Sequence, residues 1–380
     1  VGGYETGLPV QIAMMDIFEV GTGGGSLAYL DDAGALHVGP ESAGADPGPA
    51  CYGLGGTRPT VTDANLVLGR LAADQFLGGE MTLDVAAAEK AIKVGMADPL
   101  GLKVTEAAEG ILRIASSAMS YAVKGVSTER GLDAAAFVMV AYGGAGPLHA
   151  TQVAREIGIK RIIVPQSPGH FSAFGMLFSD LRYDYVRTAP GRLVEMDFEA
   201  IEETYAEMAE QGRDAIKKTS IEPESIEIAR GADMRYQGQE HPVTVPLADA
   251  FFETEDRDSI KRAFDDVHLE RYGTNAPAEP AEIVSLRLSV VGKMPVPQLS
   301  AHSKDETSNV ATGSRDIYFD KAVGFQDTPS FDRTRLKPGR AIAGPAVIEE
   351  HASTTVLFPG DELEVDEYLN LVITVGDLSA

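Results

Sequence analysis

Several kinds of residue and segment are scarce or absent in this sequence of 380 residues, and each absence excludes a class of protein. The single cysteine, Cys51, excludes an intrachain disulfide and a cysteine-based zinc cluster, and it fits a reducing, cytoplasmic environment. No apolar run approaches the roughly 20 residues of a membrane-spanning helix. No basic segment followed by an apolar stretch has the form of a secretory signal. We therefore expect a cytoplasmic protein with no membrane partner.

Positive charge is also scarce. The sequence has 32 Lys and Arg against 57 Asp and Glu, which gives a formal net charge of −25. A nucleic-acid backbone would be repelled by this charge and not recruited by it. The charge therefore excludes nucleic acid as a partner, although it names no substrate.

The order of the expected elements predicts two parts. Residues 1–190 combine a glycine-rich hairpin, helices over 85–97 and 105–126, and a strand–helix–strand unit that begins with the strand 136–142. Such a unit places its two strands in parallel by a right-handed crossover. Charged helices and alternating strands follow in residues 191–380. We therefore expect an α/β domain followed by an α+β, β-rich domain.

The first candidate site is a glycine-rich loop that follows an expected strand over 12–20 and precedes a hairpin turning at 32–34. Consecutive glycines let backbone N–H groups converge on phosphate oxygens, and hydroxyls add donors. Asp16, near the end of the strand, could hold Mg²⁺ beside those phosphates. The alternative is a tight turn without a ligand. The loop residues are Gly21, Thr22, Gly23, Gly24, Gly25 and Ser26.

A second glycine-rich loop lies between the strand 136–142 and the helix that follows it. A ligand can lie flat against such a backbone at a helix N-terminus. Close packing of the strand against the helix is the alternative interpretation. This loop comprises Gly143, Gly144, Ala145 and Gly146.

Three acidic residues near a Gly- and Pro-rich loop are candidate metal or substrate carboxylates: Glu41, Asp46 and Asp63. Asp63 is equally suited to cap the helix that follows it. His149, in the first turn of the helix after the second loop, is a candidate catalytic acid or base, and a structural hydrogen-bonding role is the alternative. Cys51 has no charge-relay partner in the sequence, which disfavours a nucleophilic role.

These segments together resemble the hydantoinase A/oxoprolinase family, in the same order and over nearly the whole chain. The resembling stretches are residues 14–53, 55–71, 141–150, 161–180, 264–273 and 343–360. The resemblance implies an actin-like, sugar-kinase-like (ribonuclease H-like) ATPase half over 1–190 and the C-terminal domain of a hydantoinase A-type subunit over 191–380. By motif order, the loop 21–26 resembles the second phosphate loop of that fold and the loop 143–146 its adenosine loop.

The implied cofactors are ATP and Mg²⁺ or Mn²⁺, with Asp16, Glu41 and Asp46 as candidate metal ligands and Asp16, Asp63 and His149 as candidate catalytic residues. The family's first phosphate loop, typically an Asp-Val-Gly-Gly-Thr-Phe-Thr-Asp type motif, does not occur in this sequence. We therefore expect the N-terminal half of the subunit, as a missing segment or a separate chain, to complete the ATP site. The resemblance also implies a partner subunit of the hydantoinase B type.

The resemblance implies an ATP-dependent enzyme that phosphorylates the oxygen of an amide, lactam or ketone. Cyclic-amide hydrolysis of the hydantoin or 5-oxoproline type is the leading expectation, and carboxylation of a small ketone is the alternative. Many relatives carry histidine where this chain has Phe18, which leaves room for the ketone reaction. Two further hypotheses are a non-catalytic structural subunit and a metal-assisted hydrolase that uses no ATP.

Overall fold

The structure is a computed structural model that describes residues 17–305 and 307–376. Its described residues fall into two compact units, one over 175–297 and the other formed by 17–174 together with 298–376. The units therefore interleave along the chain. The expected assignment of family domains to 1–190 and 191–380 stays a prediction.

The first stretch of the interrupted unit contains a hairpin, six helices and two short strands. Its elements are β1 (Ser26–Leu30), β2 (Leu36–Ser42), α1 (Val61–Val67), α2 (Val85–Ile92), α3 (Asp98–Leu100), α4 (Val104–Val126), β3 (Met139–Val140), α5 (Gly146–Ile157), β4 (Arg161–Val164) and α6 (Phe171–Met176). A π-helical turn over Lys93–Ala97 joins α2 to α3.

The unit over 175–297 is an antiparallel sheet with helices packed on it. Its elements are β5 (Leu181–Arg192), α7 (Phe198–Lys217), β6 (Ser225–Tyr236), β7 (Val243–Leu247), α8 (Asp249–Glu253), α9 (Arg257–Tyr272) and β8 (Ala281–Lys293). The sheet order is β5-β8-β6-β7. One core holds the sheet and its helices together, and its fully buried members include Tyr205, Met208, Phe264 and Val290.

The second stretch of the interrupted unit is built of strands. They are β9 (Gly313–Tyr318), β10 (Phe325–Asp332), β11 (Ile342–Ala343), β12 (Ala346–Glu350), β13 (Ser353–Leu357), β14 (Glu362–Val365) and β15 (Leu371–Thr374). Strands β13-β12-β10-β9 form one sheet, and β11-β14-β15-β4-β3 form another. Because β15 pairs with β4, the end of the described chain completes a sheet that begins near its middle.

The hairpin and the parallel crossover expected from the sequence are confirmed. Strands β1 and β2 pair antiparallel, and the Asp31 carboxylate accepts the N–H groups of Ala33 and Ala35 in the turn. Strands β3 and β4 pair parallel across α5, with Met139 opposite Ile162. The mixed helix-and-strand class with several sheets is confirmed in the same way.

Two local expectations differ from the structure. The strand expected over 136–142 is only Met139–Val140. At its N-terminal side, Asp133 accepts the N–H of Ala135 and starts a 3₁₀ turn over Ala134–Ala136. Of the strand expected over 12–20, residues 12–16 lie outside the described residues, and residues 17–20 have no regular structure.

Candidate functional site

The two glycine-rich loops line one cavity of about 270 Å³ in the interrupted unit. Gly24 and Gly25 contribute from the loop before β1, and Gly144 and Ala145 contribute from the N-terminus of α5. The structure thus brings together two motifs that are more than a hundred residues apart in the sequence.

The loop 21–26 is held by its own hydroxyl and by the start of α1. Ser26 Oγ accepts the Gly23 N–H at 2.9 Å and donates to the Gly21 carbonyl at 3.3 Å. The N–H and the hydroxyl of Thr62 both donate to the Gly24 carbonyl, at 2.8 and 2.9 Å. A Cβ on Gly24 would lie 2.8 Å from Thr62 Oγ1, so the close approach requires glycine.

The donors of this loop are available to a ligand. Among residues 17–305 and 307–376, no acceptor takes the backbone N–H of Gly24 or Gly25. Unpaired N–H groups on a fixed backbone are suited to bind an anion such as a phosphate.

The second loop offers the N-terminus of a 12-residue helix. Gly143 has φ +85° and donates its N–H to the Pro168 carbonyl at 2.7 Å. Ser353 Oγ donates to the Gly144 carbonyl at 3.2 Å. Within the described part of the chain, the N–H groups of Gly144 and Ala145 have no protein acceptor. These donors and the helix dipole favour a negative or flat polar ligand.

The rest of the cavity lining includes apolar and polar side chains. Tyr52 and Phe76 lie with ring centroids 5.8 Å apart, and the lining also contains Leu71, Leu77 and Leu148. The polar lining residues are Thr62, Asn65, Gln75, Glu349, Glu350, His351, Ser353 and Thr354.

Asn65 carries an unpartnered acceptor in this wall. Its Nδ2 donates to the Val61 carbonyl at 3.0 Å, which fixes the orientation of the amide because a carbonyl cannot accept from Oδ1. Asn65 is 2% exposed, and its Oδ1 has no hydrogen-bond partner. Because a buried acceptor without a donor is costly, this atom is suited to receive a donor from a ligand.

Asp63, a candidate catalytic residue from the sequence, is fully buried beneath the loops. Thr60 caps α1, and Asp63 completes a capping box as the third helical residue. The Asp63 carboxylate also accepts the N–H of Cys51 at 2.8 Å, the N–H of Ala50 at 3.2 Å and both donors of Thr60. This geometry supports the helix-terminus alternative, with Thr60 and not Asp63 at the cap position.

His149 and Cys51 are also buried, and neither lines the cavity. Burial, with a smaller effect of Arg70, lowers the pKa of His149 to about 3, so the ring is neutral at physiological pH. His149 Nε2 lies 3.5 Å from Asn65 Nδ2. Burial raises the pKa of the Cys51 thiol far above its usual range, and the Asp63 charge adds to the rise, which supports an inert thiol.

The candidate metal ligands do not converge. Asp16 lies outside the described residues. Glu41 is exposed and pairs with Arg58, with a distance of 2.7 Å between Oε1 and Nη1, and Asp46 is exposed. In the described ranges, no three His, Cys, Asp or Glu side chains form a group that could hold a metal ion.

Phe18, which stands where many relatives have histidine, is absent from the cavity wall. Its ring packs edge-on against Tyr121 with centroids 6.5 Å apart. It also covers Gly125, where a Cβ would lie 2.8 Å from the ring. The residue therefore packs against α4.

The β12–β13 hairpin, residues 346–357, contributes to the cavity wall, and this contribution was not predicted from the sequence. Its turn places Glu350, His351 and Ser353 in the cavity wall. The available signal was a pair of adjacent glutamates, Glu349 and Glu350, at the end of an apolar strand.

Comparison with protein families matches both parts of the chain. The model described as Hydantoinase/oxoprolinase matches residues 3–185. The model described as Hydantoinase/oxoprolinase C-terminal domain matches residues 189–373. The chain belongs to the hydantoinase/oxoprolinase family. Resemblance of the sequence motifs to this family is thereby confirmed.

Curated relatives in the hydantoinase/oxoprolinase family act on amides and ketones, as their names state. The chain is 36% identical to caprolactamase subunit alpha of Pseudomonas jessenii, over 98% of this chain and 54% of that protein. It is 34% identical to the acetophenone carboxylase gamma subunit of Aromatoleum aromaticum, over 94% of this chain and 50% of that protein. The chain thus spans about half the length of the curated relatives it matches.

Solved structures agree with this assignment. A nucleotide-free acetone carboxylase structure superposes with a TM-score of 0.79 at 28% identity, over 93% of this chain and 52% of that one. The ATP-dependent caprolactamase structure from Pseudomonas jessenii gives a TM-score of 0.75 at 35% identity, over 93% and 52% of the two chains. Within the described residues of this family member, no helix is both long and apolar enough to span a bilayer.

Proposed function

We propose that this chain is part of an ATP-dependent enzyme that phosphorylates the carbonyl oxygen of an amide or lactam and so prepares a cyclic amide for hydrolysis. The observation that carries the proposal is the shared cavity of the two glycine-rich loops. Their free N–H groups fit the phosphates and the nucleoside of a nucleotide. Relatives named caprolactamase and 5-oxoprolinase support the substrate class.

Two features of the cavity residues fit a nucleotide. Gly24 and Gly144 pack closely on Thr62 and the Ala352 carbonyl, from which a Cβ would lie 2.8 and 3.2 Å away, and among the described residues their N–H groups have no protein acceptor. Tyr52 and Phe76 offer an apolar wall to a base. When bound, ATP supplies the phosphoryl group that makes the carbonyl oxygen a leaving group.

The rest of the assembly belongs to the same proposal. Residues 1–190 would form one half of an actin-like ATPase domain, with the N-terminal half of the subunit completing the nucleotide site. A hydantoinase B-type subunit would be the partner, since relatives are named as alpha, beta and gamma subunits. Mg²⁺ or Mn²⁺ would neutralise the phosphates, with Asp16 as its candidate ligand. The described carboxylates Glu41 and Asp46 do not fit such a site.

Carboxylation of a small ketone is the second candidate. Its support is the likeness to the acetophenone carboxylase gamma subunit and to the acetone carboxylase structure. Both reactions use the same first step, because a ketone oxygen and an amide oxygen each become reactive once phosphorylated. Screening caprolactam, 5-oxoproline and acetophenone for ATP-dependent turnover separates them.

The proposal is tested by placing a charge in the first glycine loop. Gly23 suits this test because no atom lies within 4 Å of the position that a Cβ would take there. We expect Gly23→Asp in the full-length protein to raise the KM for ATP by at least about tenfold, since charges about 5 Å apart repel by about 3 kcal/mol at an effective dielectric of 20.

The matched control is Gly23→Asn, which has the same size without the charge. It should keep most of the substrate-dependent ATP hydrolysis. Equal activity of the wild type and Gly23→Asp would contradict the proposal, and absence of ATP binding by the wild-type assembly would favour a non-catalytic structural subunit.

A further inference from the structure

Glu350, at the end of β12, lies in the wall between two adjacent cavities. The first is the glycine-loop cavity of about 270 Å³. The second is a more open, polar recess of about 710 Å³. Ala72, Gln75, Glu349, Glu350 and His351 line both of them. A side chain in this wall can reach a molecule in either cavity.

The two carboxylates of this wall differ in their partners. Glu349 Oε1 lies 2.5 Å from Arg315 Nη1, so Glu349 is held in an ion pair. Among the described residues, no hydrogen bond or ion pair reaches the side-chain carboxyl of Glu350. The Glu350 carboxyl is thus free to interact with a bound molecule.

The surroundings of Glu350 keep its proton exchangeable near neutral pH. Burial raises the pKa of Glu350 to about 7, although the Arg333 guanidinium acts in the opposite direction. Arg333 is itself buried, donates from Nη2 to the Leu369 carbonyl at 2.7 Å and leaves Nη1 without a partner. A carboxyl with its pKa near the working pH is suited to proton transfer.

Three other titratable groups near the glycine loops, Asp63, His149 and Cys51, are less suited to this role. Asp63 is occupied by four hydrogen bonds. His149 is neutral and buried, and Cys51 is buried with a raised pKa. Neither lines the cavity.

The proposed reaction needs a base. The carbonyl oxygen of a lactam becomes a good nucleophile when the neighbouring N–H loses its proton, and that of a ketone does so when the neighbouring C–H loses one. We propose that Glu350 is the catalytic base that removes this proton while the carbonyl oxygen attacks the terminal phosphorus of a nucleoside triphosphate.

The bonds and charges of this step balance. The proton passes to Glu350, and its bonding electrons form the C=N or C=C bond of the substrate. The carbonyl oxygen forms a bond to phosphorus, and the nucleoside diphosphate leaves with the electrons of the broken P–O bond. The product is an imidate phosphate or an enol phosphate.

This inference rests on the proposed function, and the test separates the two. ATP hydrolysis by the full-length wild-type assembly is measured with caprolactam, 5-oxoproline and acetophenone. Wild-type protein without any substrate-dependent hydrolysis would refute both claims. With wild-type turnover present, Glu350→Gln should lower kcat by about 100-fold or more, the size expected for loss of a general base.

A second readout does not depend on turnover. The affinity for ATP, measured by calorimetry, should not fall in Glu350→Gln, since this residue acts on the acceptor substrate and its carboxylate is not a partner of the phosphates. Dicyclohexylcarbodiimide, which modifies protonated carboxyls in apolar surroundings, should label Glu350 in the wild type, and the active substrate should protect it. A Glu350→Gln enzyme with near-wild-type kcat, or one that loses ATP affinity, would overturn the base role.

The neighbouring variant Glu349→Gln is the matched control. It removes a carboxylate from the same wall, but this carboxylate is held in an ion pair with Arg315. Thermal unfolding of both variants shows whether either has lost its fold. An equal fall in kcat for Glu349→Gln and Glu350→Gln would also contradict the base role. It would show that losing either negative charge from this wall lowers kcat, whichever residue carries it.

Discussion

Replacing Asp63 distinguishes a structural carboxylate from a catalytic one. Asp63 is fully buried and accepts the N–H groups of Ala50, Cys51 and Thr60 at 2.8–3.2 Å. Asp63→Ala removes the acceptor and leaves these donors buried without partners. We therefore expect the main effect to be on stability.

The expected loss of unfolding free energy in Asp63→Ala follows from the number of buried donors that are left without an acceptor. A buried donor left unsatisfied costs about 1–3 kcal/mol. The hydroxyl of Thr60 can rotate to another acceptor, so only the three N–H groups are counted. We expect the free energy of unfolding to fall by about 4 kcal/mol. For a unit of this size, about 1 kcal/mol shifts the Tm by roughly 2–4 °C, so the Tm should fall by about 10 °C. Asp63→Asn keeps one oxygen and should show about half of this effect.

Thermal unfolding followed by circular dichroism measures this shift. Asp46→Asn is the control, because Asp46 is exposed, and its Tm should stay close to that of the wild type. ATP hydrolysis is then measured well below the lowered Tm. An Asp63→Ala protein with a wild-type Tm and no turnover would refute the structural role and favour catalysis by Asp63.

Three further predictions concern the loop hydroxyl, the cysteine and the buried histidine. Ser26→Ala removes the two hydrogen bonds by which the Ser26 hydroxyl links Gly23 to Gly21. It should raise the KM for ATP more than it lowers kcat. A lower kcat at unchanged KM would contradict this expectation. Cys51→Ala should keep turnover within about twofold, because the thiol is buried and its pKa is raised; loss of turnover without loss of fold would mark a nucleophile. The pKa of His149 is lowered to about 3 in the folded protein. Between about pH 3 and pH 6.5 the imidazole is therefore protonated in the unfolded chain and neutral in the folded one. The free energy of unfolding should therefore fall by about 1.4 kcal/mol per pH unit below about pH 6.5, and His149→Gln should remove this part of the slope in urea titrations.

The local features of the site could be predicted from the sequence because they depend on neighbouring residues. Glycines at Gly23 to Gly25 indicate a tight loop wherever they occur, and the turn of the β1–β2 hairpin follows from residues 31–35. The spacing of Thr60 and Asp63 is also that of a capping box, so the structural role of Asp63 was readable from the sequence.

Features that depend on distant contacts could not be predicted in this way. The convergence of the two glycine loops requires the fold, and so does the position of Glu350, whose pKa depends on burial by residues distant in sequence. Strand β15 pairs with β4 about two hundred residues earlier, and no local pattern specifies that pairing. The interleaving of the two compact units has the same origin.

The most direct test of the nucleotide site is a structure of the full-length assembly with a non-hydrolysable ATP analogue. We expect phosphate oxygens about 3 Å from the backbone nitrogens of Gly24 and Gly25. We also expect the nucleoside to lie against Gly144 and Ala145, between the aromatic residues of the cavity and Asn65. A nucleotide bound elsewhere, with both glycine loops free of it, would contradict the assignment of these loops to ATP binding.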